Sequence, residues 1–142
     1  MDKENCEQIL EIKDKTVVTI IKEFTKDGAK IQFNSVGETK GKYSARHIET
    51  VDVLQKMDGT SEWESRAMDV TSDGDVIMLS GKGVGNMASF QGELSLMTMS
   101  KKLAWLNSTK AWVEGASDMK SNEATMKVYA VKQMAEAPTP MK

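Results

Sequence analysis

The chain predicts an all-β fold, a single antiparallel up-and-down barrel of about eight strands. Three Asp-Gly pairs carry much of that expectation: Asp27-Gly28, Asp58-Gly59 and Asp73-Gly74 each stand between stretches rich in β-branched and alternating residues. Asp-Gly suits a two-residue type I′ hairpin turn, because both central positions need a positive φ and the turn matches strand twist. The second observation is spacing. Turn signals recur about every dozen residues, as they do in barrels and sandwiches.

The strands follow in order. Thr16–Lys26 and Ala29–Thr39 flank the first turn, Lys42–Met57 and Thr60–Thr71 the second, and Asp75–Gly85 leaves the third. Met87–Ser100, Ala104–Gly115 and Asn122–Gln133 complete the set, parted by Lys101-Lys102 and the polar stretch Ala116–Ser121. Lys3–Lys13, with Ile9, Leu10 and Ile12, fits either a short helix or an early strand, so residues 1–14 stay open. Residues 134–142, with Pro138 and Pro140, read as a flexible tail. Neither a linker nor a convincing repeat divides the chain, so 1–142 reads as one domain.

Composition narrows the function classes. Charged residues are 28% and hydrophobic residues 39%, a globular mix, and a length of 142 supports a core without staples. Net charge is −2 and the basic residues are scattered, which argues against a nucleic-acid surface. Apolar runs stay well short of the roughly 20 residues of a membrane span. The polar start Met-Asp-Lys-Glu-Asn-Cys lacks the form of a secretory signal. A lone Cys6 allows no internal disulfide and suggests the cytoplasm. One Cys and one His leave too few soft ligands for the common Zn, haem-thiolate and iron–sulfur sites, so no metal and no cofactor is expected. The 11 methionines suit irregular core filling, or an adaptable cavity or subunit interface.

Two-residue turns would set Leu54 opposite Trp63, Asp52 opposite Ser65, Val51 opposite Arg66 and Glu49 opposite Met68. Across the next turn Met68 would face Leu79. One surface then carries Ile48, Thr50, Asp52, Leu54, Trp63, Ser65, Ala67, Asp69, Met78 and Ser80. The other carries Tyr43, His47, Glu49, Val51, Val53, Glu64, Arg66, Met68, Val70, Ile77 and Leu79. Neither is cleanly polar, so both are expected to bury something, one of them against a partner subunit. A homo-oligomer follows.

Several groups invite a chemical role. His47, Glu49, Glu64 and Arg66 share one predicted face; inside an apolar barrel they would act as acid, base or anion anchor, and outside it as a solvated ladder. Tyr43, Trp63, Trp105 and Trp112 are candidate ligand walls, or simply core. Asn107, in a predicted strand, must hydrogen-bond backbone, water or ligand. Ser80-Gly-Lys-Gly-Val-Gly-Asn86 lacks a P-loop ending and a following helix, so its glycines mark a bulge or barrel corner. Neither a Gly-x-Ser-x-Gly elbow nor a partner for Cys6 supports hydrolase chemistry.

Asp58-Gly-Thr-Ser-Glu-Trp63, Phe90-Gln-Gly, Lys102-Leu-Ala-Trp-Leu-Asn107, Val113-Glu-Gly115 and Val128-Tyr-Ala together resemble a family of small uncharacterised microbial proteins related to the allene oxide cyclase-like barrels. The resemblance covers roughly the last two thirds of the chain. It implies a calycin-like barrel with a central cavity, often oligomeric, with cyclases among its relatives. It transfers no catalytic residue. The expected function is binding of a small, largely apolar or amphipathic molecule. Alternatives are a cofactor-free cyclase or isomerase using a Glu64/His47 pair, and a filled barrel whose role is assembly.

Overall fold

A computed structural model describes residues 5–86 and 88–131. Eight strands, β1 (Cys6–Thr25), β2 (Gly28–Gly41), β3 (Ala45–Lys56), β4 (Thr60–Thr71), β5 (Val76–Asn86), β6 (Ser89–Thr98), β7 (Ala111–Asp118) and β8 (Glu123–Val131), follow one another around a closed barrel. Every neighbouring pair is antiparallel, and β8 closes on β1. The expected up-and-down barrel is therefore observed.

Three local expectations change. The open segment Lys3–Lys13 resolves as strand from Cys6 onward, because Ile9, Leu10 and Ile12 are buried in the closure of β1 on β8. The predicted strand Ala104–Gly115 begins instead as a 3-10 helix, Ala104–Ser108, before β7. Leu103 and Leu106, three residues apart, both enter the core there, a spacing that a turn of 3-10 helix provides and an alternating strand does not. Met87 and the predicted flexible tail lie outside the described residues.

The turns differ too, and this matters most. Only Asn122 among the described non-glycine residues has a positive φ, so Asp27, Asp58 and Asp73 do not adopt type I′ geometry. Gly59 (φ 93°) and Gly74 (φ 88°) instead take the left-handed position that follows a tight turn, with Gly59 N–H donating to Lys56 O and Gly74 N–H to Thr71 O. At the first hairpin the turn pair is Lys26-Asp27, and Gly28 already faces Thr25. The added residue in the second and third turns moves the register by one. Val53, not Leu54, faces Trp63, and Met68 faces Met78, not Leu79.

A one-residue slip exchanges faces along the whole strand after the turn. The inner surface of β3–β5 is therefore His47, Glu49, Val51, Val53, Trp63, Ser65, Ala67, Asp69, Ile77 and Leu79. The outer surface is Ile48, Thr50, Asp52, Leu54, Glu64, Arg66, Met68, Val70, Met78 and Ser80. The two slips cancel between β3 and β5, so each expected surface keeps its β3 and β5 residues and exchanges only those of β4.

Connections alternate between the two ends. The 3-10 helix closes one end, where Leu103, Leu106, Tyr43, Leu10 and Val128 pack together. The other end carries the turns after β1, β3, β5 and β7. There the second half of β1, residues 17–25, pairs with β2 alone, since its ladder to β8 stops at Lys15 and Thr16 N–H makes the last bond on that side, to Asn122 O. That segment leaves Val17, Val18, Ile20, Ile21 and Phe24 exposed and contains two register shifts.

The glycine-rich stretch forms no bulge: β5 pairs with β4 and β6 without a register shift. Gly83 faces Gly92, where a Cβ on either would lie 2.0–2.2 Å from a backbone oxygen, so the glycines mark close backbone approach. Gly59 has open space around it, and only its left-handed φ resists a side chain. Gly59→Ala should therefore lower stability by about 1–2 kcal/mol in urea unfolding, without loss of strand content in circular dichroism.

Candidate functional site

The closed end of the barrel interior holds four ionisable side chains that apolar burial alone would not favour. Asp14, His47, Glu49 and Asp69 are all buried, His47 being 1% and Asp69 0% exposed. Their positions follow from register. Asp14 on β1 pairs with Gly37 on β2, Gly37 with His47 on β3, and His47 with Asp69 on β4. Four neighbouring strands thus present one row to the interior.

Gly37 is what lets this row meet. A Cβ there would lie 2.0 Å from Lys13 O and 2.7 Å from Asp14 Cβ. With no side chain between them, Asp14 Oδ2 and His47 Nε2 approach to 3.9 Å although a whole strand separates their backbones. Glu49, two residues along β3, adds the next contact: His47 Nε2–H donates to Glu49 Oε1 at 2.6 Å.

The other side of the imidazole is held more firmly. His47 Nδ1–H donates to Asp69 Oδ1 at 2.6 Å, Thr39 Oγ1–H to the same oxygen at 3.0 Å, and Tyr43 O–H to Asp69 Oδ2 at 2.6 Å. Three donors fix one buried carboxylate, which in turn fixes the plane of the ring. A neutral imidazole donates through one nitrogen, so donation through both requires the cation.

The titration directions agree. Burial opposes the His47 cation, but hydrogen bonds to Asp69 and Glu49 outweigh it and push the pKa up to about 10. Burial, then the like charge of Glu49, raises Asp14 to about 7, against the opposing pull of His47; a hydrogen bond to Glu49 adds to the rise. Asp14 is therefore poised to gain or lose a proton near neutral pH. Burial first, and Asp69 second, raise Tyr43 strongly, which keeps it a hydrogen-bond donor.

This cluster forms the floor of an internal cavity of about 310 Å³. Above Asp14, His47 and Glu49 its wall is mostly apolar, including Ile31, Phe33, Val51, Val53, Trp63 and Leu94. Phe90 meets Trp63 edge-on, with ring centroids 6.0 Å apart, and lies over Gly115, whose missing Cβ makes room for the ring. The cavity extends to the turn end, where exposed Asn86, Met119 and Asn122 line it.

Asp14, His47 and Glu49 each offer an atom within 4.8 Å of the others, a spacing open to a cation. The 2.6 Å Nε2–Oε1 separation, however, is a hydrogen bond. Adjacent ligands on an octahedral ion with bonds near 2.1 Å would stand roughly 3.0 Å apart. The spacing fits a hydrogen bond between the two side chains.

The sequence candidates divide sharply. His47 and Glu49 stand on the cavity floor, and Trp63 lines the wall. Tyr43 is buried beneath, as a donor to Asp69. Glu64 and Arg66 are exposed outside, where Arg66 Nη2 pairs with Asp52 at 3.0 Å, so the expected four-residue face is broken by the register. Trp105 lies on the 3-10 helix, 41% exposed. Trp112 points away from the interior, opposite in sense to its inward neighbour Val113. Asn107 binds backbone: Nδ2 donates to Thr98 O, and Thr98 N–H donates to Asn107 Oδ1. Asp14, Gly37, Thr39 and Asp69 escaped sequence reasoning. An Asp inside the apolar alternation Leu10, Ile12, Asp14 was the available signal.

No family model and no curated protein matches the chain. Solved structures do. A protein of unknown function from Clostridium acetobutylicum ATCC 824 is similar at TM-score 0.80 and 15% identity, over 90% of this chain and 99% of that one. A β-barrel like protein from Acinetobacter baumannii AYE is similar at TM-score 0.76 and 18% identity, over 89% and 95%. An enzyme from Penicillium herquei is similar at TM-score 0.70 and 19% identity, over 88% and 93%. At these identities the likeness is one of fold, and it places the chain among small β-barrel proteins.

Two predictions follow from the cluster. His47 and Asp14 both have folded pKa values above their unfolded values of 6.5 and 3.8. Each contribution is complete below the unfolded value and is lost as pH rises through the folded one, so both work in the same direction. Melting temperature should fall between about pH 4 and pH 10, and Asp14→Asn should flatten the part below about pH 7. His47→Gln should cost about 3–5 kcal/mol by leaving buried carboxylates uncompensated, and Gly37→Ala about 3 kcal/mol, both read by chemical unfolding.

Proposed function

We propose that the barrel binds a small, largely apolar molecule bearing one polar group, seats that group on Asp14 and Glu49, and transfers a proton on it without a cofactor. The observation that carries this is the placement of Asp14 and Glu49 together at the floor of an apolar cavity, where burial and the neighbouring Glu49 push Asp14 up to about 7. An acid whose pKa sits near 7 is matched to proton transfer at neutral pH. Burying three carboxylates and an imidazole is expensive for a small domain, and such clusters concentrate at functional sites.

In this scheme Glu49 accepts a proton from the bound molecule and the Asp14 carboxyl returns one, so the net change is isomerisation. The His47 cation, held by Asp69, offsets the negative charge that accumulates during the transfer. Asp69, Tyr43 and Thr39 position the ring and do not touch the ligand. The Glu64/His47 pair expected from sequence is replaced by this inward set.

The resemblance to the allene oxide cyclase-like, calycin-like barrels supports a cavity-centred chemistry, and an enzyme stands among the similar folds. A cavity of about 310 Å³, at the small end of ligand pockets, favours binding over a barrel filled by its own side chains. The site needs no nucleic acid and no membrane. The described residues contain no helix long and apolar enough to cross one. A single half-buried Cys6 suits a cytoplasmic setting.

The test uses 2-tetralone, a neutral apolar ketone with exchangeable α-hydrogens, in deuterated buffer. The expected result is saturable quenching of tryptophan fluorescence and enzyme-dependent α-exchange by NMR. Glu49→Gln should reduce exchange at least about 100-fold while leaving the fold intact. Ala67→Leu, beside Glu49 on the neighbouring strand β4, should abolish binding. Equal exchange in wild type, Glu49→Gln and Asp14→Asn would sink the proposal.

A further inference from the structure

The outer wall of the barrel carries a feature that the cavity does not use. Val36, Ile48, Met68, Met78 and Met97 are consecutive cross-strand neighbours from β2 to β6. They form an unbroken row on the outside, between 41% and 58% exposed. The exposed pair Val70 and Val76 runs beside it, and Met99, 93% exposed, follows β6. On the other flank the row Asn34, Thr50, Arg66, Ser80 and Ser95 is polar.

Water should face an antiparallel wall through polar side chains. Here the eight apolar residues together expose on the order of 700 Å², beyond the roughly 300–600 Å² of the largest apolar patch on an ordinary monomer. A stable interface needs about 800 Å² from each partner, including its polar rim, and this wall supplies nearly that amount.

We infer that this wall is the interface between two copies of the chain, related by a two-fold axis near Met68. The area is one argument. Charge is the other: the row holds no ionised group from β2 to β6, so packing it on itself sets no like charges together. Arg66 on the polar flank is already paired with Asp52, and Arg46, next to Val70, stands opposite Glu38 on β2. A lipid headgroup therefore finds no cluster of free cations there. Met68, Met78, Met97 and Met99 supply flexible side chains that can mesh with copies of themselves. Sheet-on-sheet packing of this kind leaves the turn end, and with it the cavity mouth, free.

Sedimentation velocity on the full chain, from low to high micromolar concentration, tests the interface. The expected species is a dimer. Met68→Lys, which places two lysines near the axis, should weaken it at least about 100-fold and yield a folded monomer, whereas Met68→Leu should leave the dimer intact. A wild-type monomer at every concentration overturns the inference. So does a dimer that survives Met68→Lys, or one that Ile20→Lys on the exposed segment of β1 breaks instead. Co-sedimentation of a monomeric wild type with neutral phospholipid vesicles would assign the wall to a membrane and overturn it equally. None of these outcomes depends on cavity ligands, so the proton-transfer proposal stands or falls separately.

Discussion

The buried ion cluster at Asp69, His47, Glu49 and Asp14 is the constraint around which the interior is organised. A charged imidazole inside a barrel persists only if both nitrogens find acceptors, and β3 and β4 provide them at 2.6 Å on either side. That arrangement demands a register, a depth and an empty position. The register is set by turns closing on Gly59 and Gly74, the depth by the plug of Leu103 and Leu106, and the empty position by Gly37. Remove any one and the charges lose their partners.

The two carboxylates on the cavity side do different work from Asp69. Asp69 is saturated by three donors and faces away from the cavity lining, so it acts as a fixed counter-charge. Asp14 and Glu49 face the cavity, and burial together with the charge of Glu49 raises Asp14. One imidazolium thus separates the enclosed Asp69 carboxylate from the two carboxyl groups on the cavity side. Environment, not residue type, assigns the roles.

The barrel could be read from the chain because Asp-Gly punctuation and β-rich alternation are local signals, and they agree along most of its length. The site was only partly readable because it is a non-local object. His47 and Glu49 stood out as an ionisable pair on an apolar strand, and both reach the interior. Glu64 and Arg66 were assigned to the same face by assuming two-residue turns, and a single extra residue at Gly59 turned them outward. Asp14 was invisible as a partner of His47, since nothing in sequence says that Gly37 would leave the gap between them. Ala104–Ser108 was missed for a related reason: Ala, Trp and Leu sit as well in a strand as in a short helical turn, and only the Leu103/Leu106 spacing distinguished them.

The far half of β1 gives the fold an open seam. From Val17 to Thr25 its backbone has β2 on one side and no strand on the other, with apolar side chains exposed along it. Ribbons of that kind invite uncontrolled stacking into fibrils. Two irregularities interrupt it, at Val17 and at Lys22, and the second sets a lysine within the seam. A straight template is thereby denied to incoming chains, so the rim can stay uncovered without becoming a seed.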